Sequence, residues 1–173
     1  MSKNIVLVGL SGSGKTTLGK LLNNIYNDFS YVDTDEIIVE REKRTINDIF
    51  ATDGESYFRK IETEVTKEIS AKTDMIISTG GGIVLNTDNI VQLKKNGVLF
   101  YLKTSPDCLI KRLQGDSARP LLKVDNIKDK LESMLKVRAS LYEKADYTIE
   151  TDNLSVQETV DEIARIYNER SNG

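Results

Sequence analysis

Histidine is absent from all 173 residues, and cysteine occurs once, at Cys108. Without an imidazole there is no histidine general base, no serine triad of the usual kind and no His-ligated zinc. A single thiol excludes an intramolecular disulfide and any cysteine-built metal cluster. Long hydrophobic runs are missing too. Nothing approaches the ~20 apolar residues of a membrane span, and Ile5-Val6-Leu7-Val8 is too short for a secretory core and runs into glycine. Positive charge is not in excess: 24 Lys and Arg against 27 Asp and Glu leave a net −3, the wrong sign for a general nucleic-acid binder. Arginines gathered in one cleft would still make a local anion site. The expectation is a cytoplasmic protein forming one domain over 1–173, with no membrane and no nucleic-acid partner.

What is present alternates. Ile5 to Val8 is a continuous β-branched run, as a strand covered on both faces should be. Further strands are expected at 31–33, 75–78, 98–102 and 147–149, with helices over 16–25, 36–43, 45–52, 55–72, 87–96, 106–114, 127–144 and 155–170. Such alternation predicts a three-layer α/β/α fold around a mainly parallel sheet. One polar interruption, Gly115 to Asn126 with Arg119-Pro120 inside it, reads as a loop.

Gly9-Leu10-Ser11-Gly12-Ser13-Gly14-Lys15-Thr16 satisfies G-x-x-x-x-G-K-[ST] in full, between a strand and a helix. The glycines allow a nest of backbone N–H donors around phosphates, and the helix start adds partial positive charge. Lys15 is expected on the β/γ oxygens and Thr16 on Mg²⁺. The guanine tetrapeptide N-K-x-D of GTPases is absent, and the chain is too short for a large motor or transporter ATPase. A small-molecule kinase is what remains.

Four further signals bear on the acceptor. Asp33-Thr34-Asp35 ends the second strand, where open α/β sheets bind ligands. Two carboxylates one residue apart on extended chain would point the same way, one toward Mg²⁺ and one toward acceptor hydroxyls; a solvated turn is the alternative. Thr79-Gly80-Gly81-Gly82 follows the third strand as bare backbone that a ligand can approach, or as a plain turn. Arg59 flanks the stripe Phe58, Ile61, Val65, Ile69, with Glu62 three residues on to hold it, an arrangement equally at home as a surface ion pair. Arg138 falls in the middle of the apolar face Ile127, Leu131, Leu135, Tyr142. A guanidinium facing inward needs an anion, either a structural carboxylate or a ligand's. Arg112 and Arg119 suit, respectively, a stacking cation over a base and an arginine finger, or are solvated.

In order and spacing these segments together resemble the shikimate kinase family, of the nucleoside-monophosphate-kinase-like group. Gly9–Thr16, Asp33-Thr34-Asp35, Phe58-Arg59 with Glu62, Thr79-Gly80-Gly81-Gly82, Arg112, Arg119-Pro120-Leu121 and Arg138 with Tyr142 carry the likeness over nearly the whole chain. The resemblance implies a five-stranded parallel sheet of the P-loop kinase type, a substrate-binding helical region near 33–62 and a lid near 113–125. It implies transfer of the ATP γ-phosphoryl group to the 3-hydroxyl of shikimate, on the way to chorismate and the aromatic amino acids. It places Gly12, Ser13, Gly14, Lys15, Thr16, Thr17, Arg112 and Arg119 around the nucleotide, and Thr16 and Asp33 around Mg²⁺. Lys15, Asp35 and Arg119 would serve the chemistry, and Asp35, Arg59, Gly81, Gly82 and Arg138 would hold shikimate. A monomer working on small molecules is the expectation. One departure stands out. The family often packs a proline on the adenine after the last strand, and Thr151-Asp152-Asn153-Leu154-Ser155 contains none. The rival expectations are a gluconate- or nucleotide-kinase-like enzyme and a nucleotide-binding regulator without catalysis.

Overall fold

The computed structural model of the chain describes residues 2–114 and 124–171. Among them β1 (Asn4–Val8), β2 (Ser30–Asp33), β3 (Met75–Ser78), β4 (Gly97–Lys103) and β5 (Tyr147–Glu150) form one sheet in the order β2-β3-β1-β4-β5. Every pairing is parallel, with Val6 opposite Ile77 on one side and Leu99 on the other. All five residues of β1 are buried, which explains why its sequence runs apolar without alternation.

Helices cover both faces. Val6, Val8, Ile77, Leu99 and Tyr101 point into a core closed by α4 (Gly54–Ser70), α5 (Thr87–Asn96) and α7 (Val124–Tyr142). Ile5, Leu7, Ile76, Phe100 and Leu102 point the other way, against α1 (Lys15–Ile25) and α8 (Val156–Ser171). The three-layer α/β/α fold with a five-stranded parallel sheet is therefore observed as expected. Two short helices, α2 (Thr34–Glu42) and α3 (Ile46–Thr52), pack beside α4, and α6 (Pro106–Gln114) lies against α7. A single 3-10 turn, Ile83–Leu85, connects β3 to α5.

β3 pairs on one side of β1 and β4 on the other, so the chain changes direction across the sheet at β1. Ligands bind in open α/β sheets outside the carboxyl ends of the strands at such a switch point. The loops leaving β1 and β3 meet there: Gly81 lies so close to the first loop that a Cβ on it would sit 3.1 Å from the Ser11 nitrogen. No helix among the described residues is long and apolar enough to cross a membrane.

Candidate active site

The loop after β1 folds back on itself, with Ser13 N–H donating to Leu10 O at 3.1 Å. Gly12 and Gly14 take φ values of 85° and 97°, where a β-carbon is penalised. Gly14 is the N-cap of α1, and no side chain caps the first turn or places an acid in it. The first N–H groups of the helix are thus left for an anion. Lys15 is buried, and its ammonium donates to the loop's own carbonyls, Gly9 O at 2.7 Å and Leu10 O at 2.8 Å. Desolvation pulls its pKa down to about 8 against the opposing pull of Asp35 and then Asp33.

Thr16 Oγ1 donates to Asp33 Oδ2 at 3.1 Å, so the two residues expected around Mg²⁺ are together. The other Asp33 oxygen accepts from Asp35 N at 2.9 Å and Glu36 N at 3.4 Å. Asp33 is the N-cap of α2, which starts at Thr34, two residues before the expected start. This corrects the reading of Asp33 and Asp35 as neighbours on extended chain: Asp35 stands in the first helical turn, and its direction comes from the helix. Thr34 accepts from Gly80 N–H at 2.9 Å, tying α2 to the glycine segment. One hydroxyl and one carboxylate are hard oxygen donors, and no group of three or more His, Cys, Asp or Glu able to hold a metal occurs among the described residues. That sparse set fits Mg²⁺, which keeps several waters and is held largely by substrate phosphates.

Asp35 Oδ1 is sealed from solvent and has no hydrogen-bond partner. Burial, then the neighbouring Asp33, raises its pKa above the usual carboxylate range, while Lys15 and Arg59 oppose the shift. Asp35 also lines the cleft, and a carboxylate made more basic can accept a proton there.

At the acceptor end, Arg59 Nη1 meets Glu62 Oε2 at 2.8 Å and Nη2 meets Glu55 Oε1 at 3.3 Å. This is no surface pair, because the Glu62 side chain is only 1% exposed. Burial raises the Glu62 pKa, and Arg59, then at longer range Arg138, oppose it. A Cβ on Gly82 would fall 2.6 Å from Arg59 Cζ, and one on Gly80 2.6 Å from Asp35 Oδ1. Glycine leaves room here for side chains that lie on bare backbone, a reason for glycine at 80 and 82 that the sequence does not display.

Arg138 is half-buried beside Tyr142, which is fully buried, stacked on Tyr101 at 4.9 Å, and donates to Gly81 O at 2.5 Å. Arg59 and Arg138 thus converge around Glu62 and Tyr142. The inward Arg138 has no carboxylate hydrogen-bonded to it among the described residues, while Glu62 is already engaged by Arg59.

A cleft of about 460 Å³ opens over the phosphate loop and reaches Asp35, Thr79 and Gly81. Gly12, Ser13, Gly14, Thr16, Thr17 and Asp35 line one part of it. Arg112 lies on its rim and donates to Ser13 O at 3.1 Å. The far wall is Thr151, Leu154, Val156 and Thr159, from the segment after β5 and the start of α8. Sequence reasoning named Thr151 and Leu154 only within the segment that lacks the proline, gave them no role, and did not single out Val156 or Thr159. The apolar Leu154 and Val156 among polar neighbours were the available signal. Arg119 and most of the expected lid, 115–123, lie outside the described residues.

An uncapped helix start beneath a glycine loop, with the Arg59 guanidinium lying against the nearby triple glycine, defines a P-loop phosphotransferase. The family model for shikimate kinase matches residues 11–168. A shikimate kinase from Thermodesulfovibrio yellowstonii is 43% identical over 171 residues, 99% of this chain and 98% of its own. The shikimate kinase from Acinetobacter baumannii, solved in complex with shikimate, superposes with a TM-score of 0.88 at 35% identity, covering 98% of this chain and 95% of that one. The enzyme from Bacteroides thetaiotaomicron gives 0.87 at 30% identity, covering 96% and 98%. The chain belongs to the shikimate kinase family, and it is an ATP-dependent kinase.

Proposed function

We propose that the described cleft transfers the ATP γ-phosphoryl group to the 3-hydroxyl of shikimate, with the roles divided along its length. The observation that carries this is that Arg59 and Arg138 both act on Glu62 and Tyr142, beside the triple glycine whose Gly81 lines the same cleft as Lys15. A carboxylate of a small acid closes that arrangement by bidentate, charge-assisted bonds. An uncharged acceptor would leave Arg138 without a purpose.

Phosphoryl transfer asks for positioning and charge neutralisation, so a chain without histidine lacks nothing it needs. The loop amides and the start of α1 hold the β- and γ-phosphates, and Lys15 leaves its carbonyl partners for their oxygens. Thr16 and Asp33 would hold Mg²⁺, which would supply neutralisation of the phosphate charge. Asp35 orients the acceptor hydroxyl and takes its proton, its raised pKa suiting it to that step. Gly81 and Gly82 line the shikimate seat, and Thr151, Leu154 and Val156 with Arg112 border the base of the nucleotide. Arg119 adds a second cation on the migrating phosphoryl, and 113–125 acts as a lid that keeps water from competing as acceptor. The segment 33–62 is the substrate-binding region, and the enzyme works as a cytoplasmic monomer.

A coupled ADP-release assay with shikimate, gluconate and nucleoside monophosphates tests the reading. Turnover with shikimate alone is expected. Equal or greater turnover with gluconate overturns the acceptor, and folded protein without shikimate-dependent ADP release is a nucleotide-binding regulator instead.

A further inference from the structure

Gly19 sits inside α1, where glycine is a poor helix former. Its place is explained by Tyr31: a Cβ on residue 19 would fall 2.5 Å from Tyr31 Cε2 and 3.1 Å from Cδ2. One edge of the ring meets the helix at the position three residues beyond Thr16, on the same helical face. Along β2, Tyr31 and Asp33 are two apart and so project from one face of the sheet. Ser78, opposite Asp33 in the β2–β3 register, is two residues from Ile76 and shares that face. Three strand side chains therefore crowd onto the first turns of α1.

The hydroxyls they bring are without partners. Tyr31 Oη and Ser78 Oγ are both sealed from solvent with no well-formed hydrogen bond, and Ser78 is 1% exposed. The phenol lies against both the Ser78 and the Thr16 hydroxyls, with Asp33 as the nearest charge. Buried polar groups left unpaired are uncommon and call for a reason. A threonine hydroxyl has one proton and two lone pairs. The Thr16 proton goes to Asp33. One lone pair is free for a phenolic donor, and the other then faces a cation in a fixed direction.

We propose that Tyr31 is a positioning residue for the cation site, completing a hydroxyl relay in which Ser78 donates to Tyr31, Tyr31 to Thr16 and Thr16 to Asp33. This rests on the reading of Thr16 and Asp33 as the Mg²⁺ residues. The relay would give the two orphaned hydroxyls their partners and fix the remaining Thr16 lone pair toward the cation. Groups that orient a metal ligand from behind commonly change metal affinity about 10–100-fold when removed.

The test is calorimetric titration of ADP into wild type, Tyr31→Phe and, as a control for loss of a phenol elsewhere, Tyr26→Phe, each in EDTA and over a series of Mg²⁺ concentrations. Thermal melts confirm folding. Tyr31→Phe is expected to keep the wild-type ADP affinity in EDTA and to need about tenfold more Mg²⁺ for half of the cation-dependent gain. Ser78→Ala, which removes the first hydroxyl while leaving the phenol, is expected to shift the same midpoint by less. An unchanged midpoint in Tyr31→Phe overturns the relay, and so does an equal loss of affinity in EDTA. Should Tyr31→Phe fail to fold, an unchanged midpoint in Ser78→Ala does so instead. Wild type showing no Mg²⁺-dependent gain would sink the cation site itself, a separable result.

Discussion

The guanidinium of Arg59 occupies the space that a β-carbon on Gly82 would need, with Cζ 2.6 Å from that point. Glu62 and Glu55 hold the group there, so it has little room to retreat. Gly82→Ala should therefore push Arg59 out of line with its acceptor. The Michaelis constant for shikimate is expected to rise about tenfold, equivalent to ~1.4 kcal/mol, with that for MgATP nearly unchanged. Initial-rate measurements varying each substrate in turn decide it, and equal changes in both constants would contradict the geometry.

Arg138 separates charge from shape. Arg138→Lys keeps a cation but loses the planar fork, and Arg138→Ala loses both. Shikimate dissociation constants are expected to rise in the order wild type, Lys, Ala, with the alanine variant about 10–100-fold weaker, as befits bonds to a charged group. Equilibrium titration without nucleotide isolates this step. An alanine variant that binds as wild type does would remove Arg138 from the seat.

Tyr142 links that seat to the glycine segment. Its phenol donates to Gly81 O, and Arg138 lies beside it. Tyr142→Phe keeps the ring stacked on Tyr101 but leaves the Gly81 carbonyl unpaired. Urea unfolding should show a loss of about 1–3 kcal/mol, the usual cost of a buried polar group left without its partner. Loss of less than half of the lower bound would mean that water replaces the phenol.

Much of this was legible beforehand, for reasons that differ by element. The phosphate loop reads directly because its conformation needs glycine at fixed positions and its chemistry needs Lys15 and Thr16. The three central strands were legible because their apolar runs are buried on both faces, while the edge strands β2 and β5, only partly buried, left shorter runs. Arg138 was legible as a charge inside an apolar stripe. Asp33 was misread for a local reason: an acid followed by acids at Asp35 and Glu36 is also a helix start, and the cap outweighed the strand pattern. Other relations are tertiary and leave no local trace. Arg112 reaches Ser13 O across 99 positions, and Tyr142 reaches Gly81 O across 61. The need for glycine at 82 lies in a side chain on another helix, so sequence suggested ligand approach where Arg59 approaches too.

Lys15 gives the last prediction, in pH. In the free enzyme its pKa is lowered to about 8 because burial disfavours the charged form. Below that value the ammonium is present to meet the phosphates, and above it the neutral amine is not. The specificity constant for MgATP, which reports the free enzyme, should thus fall as pH rises through about 8. Bound phosphates stabilise the ammonium, so kcat at saturating MgATP should hold through the same range and decline only at higher pH. Lys15→Arg, whose charge does not titrate there, should be slower throughout yet show no decline near that point. Rate profiles for both proteins, with ionic strength held constant, make the comparison. A wild-type specificity constant that stays level well past this pH would mean that Lys15 keeps its proton in the empty cleft, and that burial does not govern it.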